Sequence, residues 1–353
     1  MAVSTDRVAS DGRPAALVIG GSRFVGPALV RQLQGAGYRV SVLNRGSRND
    51  SLPSGVATIV CDRKDHTALR QVLAGRAFEA VFDVVAYVPQ DTLGLLAALD
   101  RSRLRHYVHI STCSVYLPAD VWPLKEHFAR GLRGPGNDYG DNKFLIEEIL
   151  FGAYRDDGLP VTIIRPGYIY GPRNSVYREA FYFDRLVAGR PLLVPGDGTT
   201  ITQFGYVDDL AALLVAVLGN ERAIGEAYNF AGEYAVTLDG YMVAAAEAVG
   251  GDFGRDAGAK TWGQAGKPCI VHFDPQQVGL GPGDVRMVFP YKWREHTLRD
   301  TEKARVQLGY REASGLAAGL RQAYEWYAGG GRAESRFAAD FRLEDEILAR
   351  LGK

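Results

Sequence analysis

The chain has 353 residues, 46% of them apolar, and its 41 basic side chains are balanced by 41 acidic ones. That length buries one large core or two joined lobes. The balanced charge, with no lysine- or arginine-rich block, argues against nucleic-acid binding through a basic surface. No apolar run reaches the roughly 18 residues that span a bilayer, so no membrane partner is expected. Cys61, Cys113 and Cys269 have no metal-like spacing and leave a thiol over in any disulfide scheme. The six histidines show no paired ligand spacing either, so no metal is expected and a reducing cytoplasm is the simplest setting.

Residues 1–14 are small and polar, without the apolar core of a secretion signal, and read as a loose tail. Short β-branched runs follow at 15–20, 38–43, 57–61, 80–85, 106–110 and 161–165. Helical patterns lie between them; in 24–35, Val25, Leu29 and Leu33 recur at spacings of four. This β-α-β alternation predicts an α/β, Rossmann-type doubly wound parallel sheet over 15–172. Beyond Gly171 glycine and proline become frequent, and 173–328 is expected to form mainly a smaller C-terminal substrate-binding lobe. Within it, 204–232 reads as a strand-helix-strand return to the main sheet, and 250–266 reads as loop. The glycine triplet 329–331 is expected to be a hinge before an amphipathic helix over 336–351, with Phe337, Phe341, Leu348 and Leu351 on one side.

The first strand runs into a glycine turn and a helix start. Gly20 and Gly21 let backbone approach a pyrophosphate, Gly26 allows close packing of helix on strand, and the helix amides favour an anion. The middle glycine of the usual dinucleotide pattern is Arg23, which puts a guanidinium near the adenosine end. The second strand ends at Asn44 and Arg45, where an acidic residue would grip a ribose 2′-hydroxyl and repel a 2′-phosphate. NADP is thus permitted beside NAD; Arg23 and Arg45 read either as phosphate partners or as solvated surface groups. Asp62 ends the third strand, as an adenine contact or as a plain cap.

Tyr139 and Lys143, four apart at the start of a helical run, share one helix face. A free phenol, with a pKa of about 10, needs a nearby cation to act as a base at neutral pH. Lys143 and an oxidised nicotinamide would supply one. Thr112, at the end of the fifth strand, stands where ligands sit in such sheets and offers a hydroxyl to hold the substrate oxygen.

With these pieces assembled, the chain resembles the extended short-chain dehydrogenase/reductases of the NAD-dependent epimerase/dehydratase family. The resemblance rests on GGSRFVG at 20–26, STCSVY at 111–116, YGDNK at 139–143, RPGYIYGP at 165–172 and FGYVDDLA at 204–211. It implies a catalytic set of Thr112, Tyr139 and Lys143, with Pro166 beside the nicotinamide. It extends the cofactor contacts to Ser22, Phe24, Val25, Arg63, Val85 and Ala86, and the substrate contacts to Tyr87, Thr112, Arg173, Asn174 and Gln203. It also implies a homodimer through the helix of Tyr139 and the helix before it. Arg23, Asn44-Arg45-Gly46, Phe289-Pro290-Tyr291 and the ending 340–348 resemble a branch that includes chloroplast stem-loop RNA-binding proteins, so RNA binding is a competing reading. The intact catalytic set and the neutral charge weigh against it.

Members of the family oxidise a sugar hydroxyl, act on the neighbouring carbon and return the hydride, giving epimerisation or dehydration. Dehydratases carry Thr-Asp-Glu where this chain has Thr112-Cys113-Ser114. Cys113 reads either as an acid/base group or as a small packing residue, and Ser114 is a poor base. Two arginines that clamp the diphosphate of nucleotide sugars are missing, from 196–204 and from 281–284. Arg173, Arg178, Arg286, Lys292 and Arg294 are the candidate replacements. The expected substrate is a nucleotide sugar, nucleoside or sugar phosphate; a ketone reductase using NAD(P)H is the alternative enzyme.

Overall fold

The computed structural model describes residues 12–47, 52–250, 262–263, 267–334 and 339–353. The tail 1–11, most of the loop expected over 250–266, and Phe337 lie outside the described residues. Seven parallel strands form the main sheet: β1 (Ala15–Ile19), β2 (Arg39–Asn44), β3 (Ala57–Val60), β4 (Ala80–Asp83), β5 (His106–Ile110), β6 (Val161–Pro166) and, far along the chain, β10 (Glu226–Phe230). Their order is β10-β6-β5-β4-β1-β2-β3. It reverses direction between β1 and β4, which opens a crevice at their carboxyl ends, the usual ligand site of doubly wound sheets.

Strand pleating decides which helices cover which face. In β1, Ala16 and Val18 join the core beneath α1 (Val25–Gly35) and α6 (Val207–Ala216), while Leu17 and Ile19 join the core beneath α2 (His66–Leu73), α3 (Pro89–Ala98) and α4 (Asp138–Asp157). Val25, Leu29 and Leu33 of α1 are all buried, as their spacing predicts. Each fully buried side chain of this size contributes about 1.5–3 kcal/mol.

The remaining elements stand over the strand ends. A second, small sheet has the order β11-β9-β7, from β7 (Tyr168–Tyr170), β9 (Ile201–Tyr206) and β11 (Ala235–Thr237). The expected return over 204–232 is therefore divided: β10 does join the main sheet, but β9 pairs with β7 and β11. Burial runs through both faces of β9, so its pattern carries no mark of which sheet it enters. Its Phe204 stacks on Tyr241 of α7 (Leu238–Gly250) with ring centres 4.1 Å apart, and Tyr291 hydrogen-bonds Tyr241 at 3.0 Å. This aromatic cluster, with Phe289, ties the segment after α8 (Pro282–Val288) to the lobe. α5 (Glu179–Val187) leads into β8 (Leu192–Pro195), which pairs with β14 (Ile270–Phe273); the short pair β12 (Trp262–Gly263) and β13 (Lys267–Pro268) precedes it.

α9 (Glu302–Leu308) and α10 (Leu316–Ala328) complete the lobe. The chain then passes through the 329–331 glycines into a short 3-10 turn, and α11 covers Arg342–Arg350, later than the 336–351 expected. Phe341 stands at its cap beneath the guanidinium groups of Arg185 and Arg190, while Leu348 and Leu351 pack beside the fully buried Ile347. No helix among the described residues is long and apolar enough to cross a membrane.

Candidate active site

A cavity of about 1080 Å³ opens at the carboxyl ends of β1, β4, β5 and β6 and extends under the small lobe. At one end is the dinucleotide loop. Gly20 follows β1 with φ 91°, and a Cβ there would run into Val85, so only glycine lets the loop turn this close to β4. Ser22, Arg23, Phe24 and Val25 line the cavity beside Gly20. Gly26 does not: it lies behind the loop, against the backbone of Gly21. Ala86, expected at the cofactor, is fully buried in the core beneath the sheet, and its neighbours Val84, Val85 and Tyr87 form the wall instead.

At the second strand, Asn44 Oδ1 accepts from the Gly46 N–H at 2.7 Å and shapes the turn, leaving Arg45 on the cavity wall. Asp62 caps its own turn, accepting from the Lys64 N–H at 3.0 Å, and also lines the cavity with Lys64. Arg63 also lines the cavity. Its guanidinium turns inward onto Asp83 at 2.5 and 3.0 Å and donates to Asp91 O at 2.8 Å. Burial opposes ionisation of Asp83, but this partner holds its carboxyl at about 2.

The other end of the cavity is built from β5 and α4. β5 ends at Ile110; Ser111 Oγ donates to buried Glu147 at 2.6 Å, and a 3-10 turn then spans Cys113–Val115. Thr112 Oγ1 accepts from Ser114 N at 3.1 Å, on the side of the cavity where Tyr139 stands. α4 presses on this turn because residue 140 is glycine: a Cβ there would lie 2.5 Å from Ser114 O. Tyr139 and Lys143 both line the cavity, with the Lys143 Nζ 6.0 Å from the Tyr139 ring centre and 5.6 Å from that of Tyr87. Partial desolvation, then the nearby Tyr87, raises the pKa of the Tyr139 phenol, although the residue is 49% exposed. Burial lowers the Lys143 ammonium to about 8. The ammonium faces the Tyr139 ring and donates to Ile110 O at 2.6 Å.

Cys113 is also corrected. Its thiol is buried and donates to Arg165 O at 3.1 Å, and burial raises its pKa, so it stays a protonated packing group. Ser114 lines the cavity beside Thr112. Of the expected substrate residues, Tyr87, Thr112, Asn174 and Gln203 reach the cavity wall, and Arg173 does not. The amides of Asn174 and Gln203 already hold protein groups: Asn174 donates to Glu179 at 3.0 Å, and Gln203 donates to Gly232 O at 2.9 Å. Among the candidate replacement cations, Arg178 and Lys292 line the cavity, whereas Arg286 and Arg294 do not. Lys64, Arg133, Trp122 and Arg299 were not anticipated. They stand on loops without a periodic pattern, brought to the wall only by tertiary packing.

The profile of the NAD dependent epimerase/dehydratase family matches residues 16–231. The chain is 33% identical over 347 residues to the chloroplast stem-loop binding protein of 41 kDa b of Arabidopsis thaliana, covering 95% of this chain and 84% of that protein. It is 28% identical over 225 residues to 2'-dehydrokanamycin reductase of Streptomyces kanamyceticus, covering 62% of each. In fold it resembles UDP-glucose 4-epimerase of Thermotoga maritima, solved with UDP-glucose, at 22% identity and a TM-score of 0.71 over 89% of this chain and 99% of that one. With its seven-stranded parallel sheet and the family match over more than half its length, the chain belongs to the NAD-dependent epimerase/dehydratase family, enzymes of the extended short-chain dehydrogenase/reductase type.

Proposed function

We propose that this chain epimerises or dehydrates a sugar-containing small molecule through transient oxidation of a hydroxyl. The observation that carries the reading is the convergence of Thr112, Tyr139 and Lys143 on one wall of a cavity that also contains the dinucleotide loop. The close approach at Gly20 leaves a cradle that suits a pyrophosphate. Gly20, Ser22, Arg23, Phe24 and Val25 would hold it, with Asn44, Arg45, Asp62 and Lys64 at the adenosine end and Lys143 and Pro166 at the nicotinamide. When bound, oxidised NAD supplies a hydride acceptor and a positive charge beside the phenol. Cations at 23, 45 and 64, with no acid at 44, suit NADP as well as NAD.

Thr112 holds the substrate oxygen, and Tyr139 takes its proton and later returns it. Lys143, fixed by donating to Ile110 O at 2.6 Å, adds positive charge to the wall. The locked Cys113 thiol leaves residue 113 without a proton-transfer role, which favours epimerisation over elimination. The dimer is proposed to form through α3 and α4, which carry the exposed Leu93 and Leu145.

Incubation with NAD(P) and a panel of nucleotide sugars, nucleosides and sugar phosphates, followed by mass and NMR, tests the reading. New coupling constants at unchanged mass mean epimerisation; loss of one water means dehydration. Tyr139→Phe should lose turnover by orders of magnitude while still binding cofactor, and unchanged turnover would sink the mechanism. The name of the Streptomyces relative favours the reductase reading, which requires stoichiometric consumption of NAD(P)H. The name of the Arabidopsis relative favours RNA binding, which requires a salt-sensitive stem-loop complex that survives Tyr139→Phe.

A further inference from the structure

We propose that Arg299 is a substrate anchor, receiving a carboxylate carried on a carbon next to the one whose hydroxyl faces Thr112 and Tyr139. The inference rests on the redox reading of the cavity and names its substrate class, an acidic sugar.

The backbone of Arg299 is held from two sides. Its N–H donates to Gln203 Oε1 at 2.7 Å, and Gln203 is itself fixed on Gly232 O at 2.9 Å. On the other side Leu124 N donates to Leu298 O at 3.0 Å, and Asp300 N donates to Leu124 O at 2.9 Å. The side chain so placed lines the cavity and acts electrostatically on the Cys113 thiol, one residue from Thr112. One nitrogen donates to Leu298 O at 2.9 Å, while Nε is buried without a partner.

The charge is what lacks an answer. Two guanidinium groups act on Cys113. That of Arg165 is neutralised by Glu147, at 2.9 and 2.8 Å. That of Arg299 has no carboxylate within ion-pair distance among the described residues. Glu295, whose pKa it helps to lower, is paired with Lys292 at 3.0 Å, and Glu126, whose charge reaches the same thiol, accepts from Asn229 N at 2.9 Å. A half-buried cation without a counter-charge is costly, and a ligand anion removes that cost. The planar fork of arginine matches a carboxylate through two hydrogen bonds. A phosphate at the same point would set up to two charges against a single guanidinium. Of the other cations on this wall, Arg178 lies over the Tyr168 ring, 4.9 Å from its centre, and Lys292 and Arg133 both act on Glu295.

The test is calorimetric binding to the NAD-loaded protein. UDP-glucuronic acid is compared with UDP-glucose, and free D-glucuronate with D-glucose and D-glucose 6-phosphate. The wild type should prefer the acid of each matched pair by on the order of tenfold. Arg299→Met should bring that ratio near one, and Arg299→Lys should keep part of it. NAD affinity and unfolding temperature serve as folding controls; if the Met variant does not fold, the Lys variant and the wild-type ratio decide. Equal binding of acid and neutral partner, no binding of either acid, a ratio that survives Arg299→Met, or tighter binding of glucose 6-phosphate than of glucuronate would each overturn the proposal. Near-ultraviolet absorbance of reduced nicotinamide reports the redox step separately. Acid-selective binding without that signal keeps the anchor and removes the redox reading, and the converse removes only the anchor.

Discussion

The ammonium of Lys143 lies 6.0 Å from the centre of the Tyr139 ring, yet its hydrogen bond goes to Ile110 O, at 2.6 Å. Burial lowers it from 10.5 to about 8, against the opposing pull of Asp83 and Glu147. A lysine whose folded pKa is depressed binds fewer protons in the native state than in the unfolded one between those values. Stability from this group therefore rises as pH increases from about 8 to 10.5, and its charge burdens the fold at neutral pH by on the order of 3 kcal/mol. Lys143→Met should abolish turnover while melting at the same temperature or a few degrees higher, since the unpaired Ile110 O offsets part of the gain. Thermal melts of both proteins across pH 7–10 check this; a variant that melts well below the wild type at pH 7 contradicts it.

The sheet carries two histidines that must stay neutral. His106 Nε2 meets Thr162 Oγ1 at 2.7 Å, and that hydroxyl donates onward to Ala223 O at 2.5 Å, so the imidazole donates. Burial depresses its pKa from 6.5 to about 4, and burial, then Lys143, holds that of His109 well below 6.5. As pH falls below 6.5 the unfolded chain takes up these protons and the folded chain does not. Stability should then fall by about 1.4 kcal/mol per pH unit for each histidine. In denaturant titrations from pH 7 to 4.5, His106→Gln should flatten the slope by one such increment. An unchanged slope would mean that His106 is protonated in the native state.

The sheet and the meeting of Thr112, Tyr139 and Lys143 at the cavity were legible because both depend on short-range patterns. β1, its glycine turn and α1 are contiguous, and Tyr139 and Lys143 sit one helical turn apart. Thr112 was readable from its place at a strand end. Orientation was not legible. Cys113 follows Thr112 in sequence, but its thiol turns to Arg165 O, and Arg63 lines the cavity while its guanidinium turns to Asp83. Arg299 had no local signal at all, because its place depends on Gln203 and Leu124, far away along the chain. The strand β9 was found but assigned to the wrong sheet, since a strand buried on both faces does not identify its neighbours.

Behind the Thr112 turn, Glu147 is fully buried and receives Ser111 Oγ, Arg165 and, at 3.2 Å, Arg130. Removing one member of a buried pair leaves the other charge uncompensated, at about 3–5 kcal/mol. Glu147→Met and Arg165→Met should each cost this much. The double variant should be less destabilised than the sum of the two, because neither charge then remains. A double-mutant cycle in urea measures the coupling, and strict additivity would show that the two side chains do not depend on each other.

Two glycines of α4 separate helix propensity from the demands of the site. Gly152 has open space where a Cβ would go, whereas at Gly140 the same atom would lie 2.5 Å from Ser114 O. Gly152→Ala should stabilise the protein by about 1 kcal/mol through helix propensity and the reduced freedom of the unfolded chain, with turnover unchanged. Gly140→Ala makes the same backbone gain but pushes the first turn of α4 off the turn that holds Thr112. The Tyr139 hydroxyl is then displaced relative to Thr112, and kcat should fall by on the order of a hundredfold, as expected for misplacement of a reacting group by about 1 Å. Cofactor affinity should change little, because the dinucleotide loop is built on β1 and α1. Equal activity in the two variants would show that close packing of α4 against residues 112–114 is not what aligns Tyr139.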